Sequence, residues 1–346
     1  MKNLIFIIYI LIILFQTGNV LSNNSIFNVN NVEIGKETYK NKENLVNQAF
    51  IKSYDQLISR LLLEGDYKIL SNTNLKEIKK LISYYQIINP EIEKKEDNIR
   101  VNVFFDKDRL HNFFYKKNIL YADIVNTEVI FFPLLKKNNQ HFIYTKNYFY
   151  ENWNLKNSNR LIQYNLPFEN IENIEKIKLN KDNIFNLDVK DFFKEYDIEN
   201  LVFANIEISN NNAKIFLNTK ISGKKINKTL MIKGEGLIDK DFYNKIIFEI
   251  KNTIKDLIKS QNLIDVRTPS FLNVEIKLTD KNSLVEFSKR LENIDLIDKF
   301  SIRQLNKDFA LAKIKYLGKI NKIINKLKDQ NINLKMKKGQ WQLKII

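Results

Sequence analysis

The sequence predicts an α+β protein built from two or three small α/β-sandwich domains behind an N-terminal export signal. Three observations carry that expectation. The chain has 346 residues, more than one ordinary hydrophobic core organises. Apolar residues recur now at strand spacing and now at helix spacing, so strands and helices interleave along the chain. Residues 267–346 read as βαββαβ with one further strand, the order of a ferredoxin-like domain.

The chain opens with "MKNLIFIIYILIILFQTGNVLS", in which Lys2 precedes an unbroken apolar run from Leu4 to Phe15. A helix of that length rises roughly 18 Å, whereas a bilayer core is about 30 Å thick. The run therefore fits the core of a signal peptide, with cleavage expected between Ser22 and Asn23; an uncleaved signal anchor is the alternative. No later stretch is long and apolar enough to cross a membrane. The expected organisation is a signal peptide over 1–22, an N-terminal α+β domain with connector over 23–186, a middle αβββα domain over 187–266 and the ferredoxin-like domain over 267–346.

In the first of these, "IFNVNNVEI" (26–34) has strand character. A helix follows from about Asn41 to Leu63, with Val46, Phe50, Leu57 and Leu61 near helical spacing, and a shorter one lies around Leu75, Ile78 and Leu81. "SYYQIINPEIE" and "NIRVNVFFD" read as paired strands, Val101, Val103 and Phe105 alternating with Arg100, Asn102 and Phe104. "TEVIFFPLL" and "HFIYT" are two more, and residues 151–186 are a connector holding Trp153 and Pro167.

The middle block has a helix near "VKDFFKEY" (189–196), then three strands, "NLVFANIEIS", "KIFLNTKIS" and "KTLMIKGEG", with "NNNAK" as a turn. A long helix from about Asp239 to Asn262 carries a stripe of Tyr243, Ile246, Ile250, Ile254, Leu257 and Ile258, expected to pack on that sheet. After Pro269, "FLNVEIKL" is a strand, and Ser283 with Glu286 reads as a capping box. A hairpin turns at Asn306-Lys307-Asp308, a helix carries Ile320, Ile323, Ile324 and Leu327, and two last strands turn at Gly339.

Between the paired strands and the next helix, "FFDKDRLHNFF" (104–114) puts Asp106, Asp108 and His111 within six positions, in a chain with two histidines. Asp106 stands where a strand stops and a helix begins, so its carboxylate is expected to cap the first turn, with Asp108 near the positive end of the helix dipole. A metal site asks for a further ligand at helical spacing, and position 115 is Tyr115. The expectation is a helix start, with no metal, no cofactor and no catalytic residue.

Composition narrows the function. Lys and Arg total 56 against 40 acids, a formal charge of +16, and only seven of the basic residues are Arg. Base readout and phosphate clamping favour the planar fork of Arg, so the lysine excess reads as compositional habit or as preference for anionic surfaces. "KDFALAKIKY" (307–316) lacks the glycine and second aromatic of an RNA-recognition strand, and no nucleic-acid partner is expected. The absence of cysteine removes disulfides, thiolate nucleophiles and Cys-based zinc sites. The single G-x-G, Gly234-Glu-Gly236, lacks the third glycine of a dinucleotide fingerprint, and there is no Walker loop, nucleophile elbow or H-E-x-x-H.

Several segments resemble a family of exported bacterial proteins known as domain of unknown function 2066. They are "NLVNQAFIKSYDQLISRLLLEG", "IRVNVFFDKDRLHNFFYKKNILYAD", "NRLIQYNLPFENIENI", "KEYDIENLVFANIEISNNNAKIFLNTKISGK" and "KKGQWQL", which together cover most of the chain after residue 22. This chain has Asn, Ile and Lys where that family usually has Ala, Gly or Trp. The resemblance implies an exported protein of similar fold and carries no catalytic residues to transfer.

The first functional expectation is a periplasmic, non-catalytic accessory or adaptor protein of the envelope with an unidentified protein partner. The second is a binding module for anionic envelope polymer or lipid head groups, its candidate contacts being Lys319, Lys322, Lys326, Lys335, Lys337 and Lys338. An enzyme of unrecognised type is the third.

Overall fold

The computed structural model describes residues 25–35, 41–88, 98–155, 161–181, 183–184, 192–278, 282–337 and 339–345. The signal segment with its Ser22–Asn23 junction, the first part of the helix expected over 189–196, and Lys338 lie outside them.

In chain order the elements begin with β1 (Asn28–Gly35), α1 (Lys42–Leu61), α2 (Glu64–Leu70), α3 (Leu75–Leu81), β2 (Ile82–Ile88) and β3 (Asn98–Phe105). Next come α4 (Lys107–Lys117), β4 (Tyr121–Ala122), β5 (Thr127–Lys137), β6 (Gln140–Phe142), α5 (Tyr148–Asn152), β7 (Ile162–Asn165) and α6 (Ile171–Leu179). The middle of the chain forms β8 (Leu201–Ser209), β9 (Asn212–Ile221), β10 (Lys224–Lys233), α7 (Asp239–Gln261) and β11 (Leu263–Ile264). The remainder is β12 (Ser270–Lys277), α8 (Ser283–Glu292), β13 (Ile297–Leu305), β14 (Phe309–Tyr316), α9 (Ile320–Asp329), β15 (Ile332–Lys337) and β16 (Gln340–Ile345).

The architecture is α+β and divides into two compact units. The first holds the described residues of Met1–Leu57, Thr73–Ile119 and Asp265–Ile346; the second holds Ile58–Asn72 and Leu120–Ile264.

The first unit contains two sheets. One has the antiparallel order β1-β3-β2. Val101, Val103 and Phe105 of β3 are buried, as are Leu45, Ala49 and Tyr54 of α1 and Leu110 and Phe114 of α4. The other has the order β13-β14-β12-β16-β15. The expected βαββαβ order is present, and the added strand goes inside the sheet: β16 lies between β12 and β15, parallel to the former and antiparallel to the latter. Leu272, Val274 and Ile276 of β12 and Ala310, Ala312 and Ile314 of β14 are buried on the side that takes Phe287 and Leu291 of α8 and Ile323 and Leu327 of α9. The Ser283 capping box does not form. Asn282 holds the cap position of α8, and Glu286 pairs with Arg290 at 2.5 Å along the helix.

The second unit is built on the sheet β10-β9-β8-β5-β6, with β7 also pairing with β5. Strands of the expected N-terminal and middle blocks thus share one sheet. β5 runs parallel to both β7 and β8 and is buried on both faces. Val129, Phe131 and Leu135 join the core formed with Ile246, Ile250, Ile254 and Ile258 of α7, while Ile130, Phe132 and Leu134 pack with Ile177, Phe192 and Phe193. A strand covered on both sides reads as a continuous apolar run, as "VIFFPLL" does. In that run Pro133 sits where β6 and β7 leave an opening: β6 pairs Leu135 to Lys137 and β7 pairs Thr127 to Ile130. The Nδ2 of fully buried Asn147 donates to the Pro133 carbonyl at 2.9 Å there.

Few glycines serve the turns. Among the described residues, eight of the ten non-glycine positions with positive φ are Asn, including the pairs Asn138-Asn139 and Asn210-Asn211. Asn tolerates the left-handed region better than other side chains, so part of the asparagine excess does the work of glycine.

Candidate functional site

Two places in the first unit gather chemistry. The first grows from "FFDKDRLHNFF". Asp106 caps α4 as expected, its Oδ1 accepting from Arg109 N at 3.0 Å, and its other oxygen pairs with the Arg109 guanidinium at 3.4 Å. Asp108 and His111 are three residues apart on α4, and residues at that spacing lie on one helix face. The missing third group comes from far along the chain. Among the described residues, Asp108, His111 and Asp298 form a set whose ligand-type atoms all lie within 4.8 Å of one another.

Asp298 reaches this place through backbone geometry. In the β13–β14 ladder Ile297 pairs with Tyr316 and Lys299 with Lys315, so Asp298 is the extra residue of a β-bulge. A bulge re-aims a side chain out of the regular alternation. Lys107 Nζ holds the carbonyl beside the bulge, donating to Ile297 O at 2.9 Å. The loop before β13 is tied to the residues just ahead of β1, because the Asp295 carboxylate accepts from Ser25 Oγ and Ile26 N, each at 2.9 Å.

His111 is buried against Phe27, ring centroids 5.5 Å apart and edge to face. Burial first, and then the nearby Lys107 ammonium, pushes its pKa down to about 4, so the imidazole is neutral at neutral pH. Lys315 forms an ion pair with Asp298 at 2.5 Å. One imidazole and two carboxylates suit a borderline divalent metal ion, and an ammonium stands against one of the carboxylates.

The second place is the open face of the five-stranded sheet, opposite α8 and α9. On β14, Lys313 and Lys315 alternate with buried Ala312 and Ile314. Lys315 stands opposite Lys299 of β13, and Lys277 continues the same parity on β12. On the far side, Lys335 and Lys337 of β15 face Gln342 and Gln340 of β16, with Lys344 on the same side as both glutamines. Glu275 is the acid at the middle of this surface, and it accepts from Gln342 Nε2 at 2.9 Å. Half-exposed Phe271 carries the Lys313 ammonium 4.0 Å from its ring centroid.

The six lysines singled out from sequence are therefore divided. Lys335 and Lys337 belong to the open sheet face. Lys319, Lys322 and Lys326 lie at and along α9, in the helical layer on the opposite side. Lys338 lies outside the described residues. Sequence reading missed Lys277, Lys299, Lys313, Lys315 and Lys344. The signal was available in β14, where "FALAKIKY" places Lys313 and Lys315 two positions apart on a strand, after Phe309 and Leu311, but their sharing a face with β15 and β16 depends on sheet order.

Elsewhere, the Gly234-Glu-Gly236 motif is a turn, with Gly234 N donating to Asn211 O at 2.9 Å and Gly236 at φ 71°. His141 stands on β6 in the second unit. Among the described residues no helix is long and apolar enough to cross a membrane.

The chain is similar to an uncharacterised protein of Borreliella burgdorferi, BBD11, with 26% identity over 250 residues that cover 72% of this chain and 73% of that protein. No family model matches, so the likeness to domain of unknown function 2066 rests on the segments quoted above. No solved structure matches.

Proposed function

We propose that the chain is an exported, non-catalytic protein that docks on an anionic lipid surface of the envelope through the open face of its C-terminal sheet. The observation that carries this reading is the register of lysines across all five strands of that face. Lys299 stands directly opposite Lys315, whose ammonium already pairs with Asp298, while Lys277, Lys313, Lys335, Lys337 and Lys344 keep the rest of the face cationic. An array of phosphate head groups would attract such a face, at about 1 kcal/mol per lysine near the surface. Lysine supplies compact point charges that need no bidentate geometry, which fits a laterally mobile lipid surface. Export is supported by the N-terminal apolar run. The non-catalytic reading rests on the missing sequence motifs.

The test is sedimentation of the purified chain with phosphatidylglycerol or phosphatidylcholine vesicles at several salt concentrations. Binding is expected to the anionic vesicles alone and to weaken steeply with salt. Lys335→Glu/Lys337→Glu should lower it by about tenfold or more, whereas Lys322→Glu/Lys326→Glu, on the helical layer, should lower it much less. Equal losses from the two pairs, or no salt-dependent binding, would overturn the proposal. So would stronger binding to a single-stranded oligonucleotide, or recovery from crosslinked cells of a salt-resistant protein partner, which would favour the adaptor reading.

A further inference from the structure

The geometry points to a divalent transition-metal site, of the kind Zn2+ occupies, formed by Asp108, His111 and Asp298. It goes beyond the lipid-docking reading and stands or falls separately from it.

Three independent features converge. Asp108 and His111 are set three residues apart on one face of α4, a spacing that delivers two ligands to one point. Asp298 is delivered by a β-bulge whose neighbouring carbonyl is pinned by Lys107 of the same helix. The ligand atoms lie within 4.8 Å of one another, whereas two atoms about 2.2 Å from one ion lie at most about 4.4 Å apart, so the three groups would draw together by about 1 Å to share it. One nitrogen and two oxygens leave coordination positions for water, and that donor set suits Zn2+, Co2+ or Ni2+ better than Ca2+, which takes oxygen ligands only.

The ammonium of Lys315 holds one carboxylate of the set at 2.5 Å, and Lys107 lies close enough to oppose positive charge at His111. Metal binding would displace Lys315 from Asp298. The site is thus an exchange of one cation for another, and its affinity is set by how readily Lys315 leaves. This gives a test that does not depend on damaging the buried histidine. Removing Lys315 should tighten metal binding, whereas a purely structural Asp298–Lys315 pair would give no metal dependence.

The experiment is titration of the intact chain at neutral pH with Zn2+ by calorimetry and with Co2+ by visible absorption. One ion per chain is expected, with Co2+ ligand-field bands. Lys315→Met should bind at least threefold tighter. Asp108→Asn, at an exposed position, and Asp298→Asn should bind at least tenfold weaker, with His111→Ala interpreted after its fold is checked by circular dichroism. His141→Ala should leave binding unchanged. Absence of binding in both the native chain and Lys315→Met would overturn the proposal. So would binding that survives Asp108→Asn and Asp298→Asn, or that is lost with His141.

Discussion

Lys259, near the end of α7, donates its buried ammonium to the backbone carbonyls of Ser59, at 2.7 Å, and Leu62. Those carbonyls close the last turn of α1. One turn earlier on α7, Asp256 accepts from Glu64 N, at 3.3 Å to each oxygen, at the start of α2. A cation at a helix C-terminus and an anion at a helix N-terminus both complement the helix dipoles. α2 has no side-chain cap of its own from Leu63, and Asp256 supplies one from a distant part of the second unit.

Burial, reinforced by the neighbouring Lys255, lowers the Lys259 pKa to about 8 from 10.5. Between those values the unfolded chain binds more protons than the folded one, so this residue makes stability rise with pH across that window. The rise should amount to about 1–3 kcal/mol. It is measured as the difference between native and Lys259→Met unfolding free energies in urea at pH 7.5 and pH 10. An equal difference at the two pH values would contradict it.

Asn147 closes the opening in β5. Its amide nitrogen serves the carbonyls of Pro133, Phe142 and Ile143, and its oxygen accepts from Phe149 N at 3.1 Å. Asn147→Ala leaves these buried groups unsatisfied and should cost about 2–4 kcal/mol, read as a lower urea midpoint with unchanged slope. A loss under 1 kcal/mol would mean that water replaces the amide.

At Gly234 an added Cβ would lie 2.4 Å from Asn211 Oδ1 and 2.7 Å from the Phe242 ring. Gly234→Ala should therefore destabilise by about 1–3 kcal/mol. In an Asn211→Gly background part of that cost should disappear, since one of the two obstacles is gone; a double-mutant cycle measures the coupling.

The lysine face predicts a conflict between stability and binding. Lys299→Glu removes a like charge opposite Lys315 and adds a second acid beside the Asp298 that already pairs with it. It should raise stability by about 0.2–1 kcal/mol while weakening sedimentation with anionic vesicles. A variant that gains stability and keeps full vesicle binding would separate that lysine from the docking surface.

Most of the elements were legible in the sequence because local physics determines them. The alternation in "RVNVFF" marks β3, the Ile stripe marks α7, and a lone Asp between strand and helix marks the cap at Asp106. The short α2 was missed because its buried anchor is a single residue, Leu70, and a lone apolar position has no period. The capping box fails by one residue: the cap position falls on Asn282, which makes Ser283 the first helical residue, and Glu286 pairs with Arg290 one turn along.

By itself the sequence determined most of the helices and strands, though not α2 or the β7 and α6 that lie in the segment read as a connector, together with the asparagine turns and the cationic balance, since each depends on neighbours a few residues away. Tertiary structure alone decided that β5 joins β8, that β16 enters between β12 and β15, and which lysines share a face. It also brought Asp298 to Asp108 and His111. Sheet order and a bulge one residue long govern those meetings, and both arise from packing between segments that are remote in the chain.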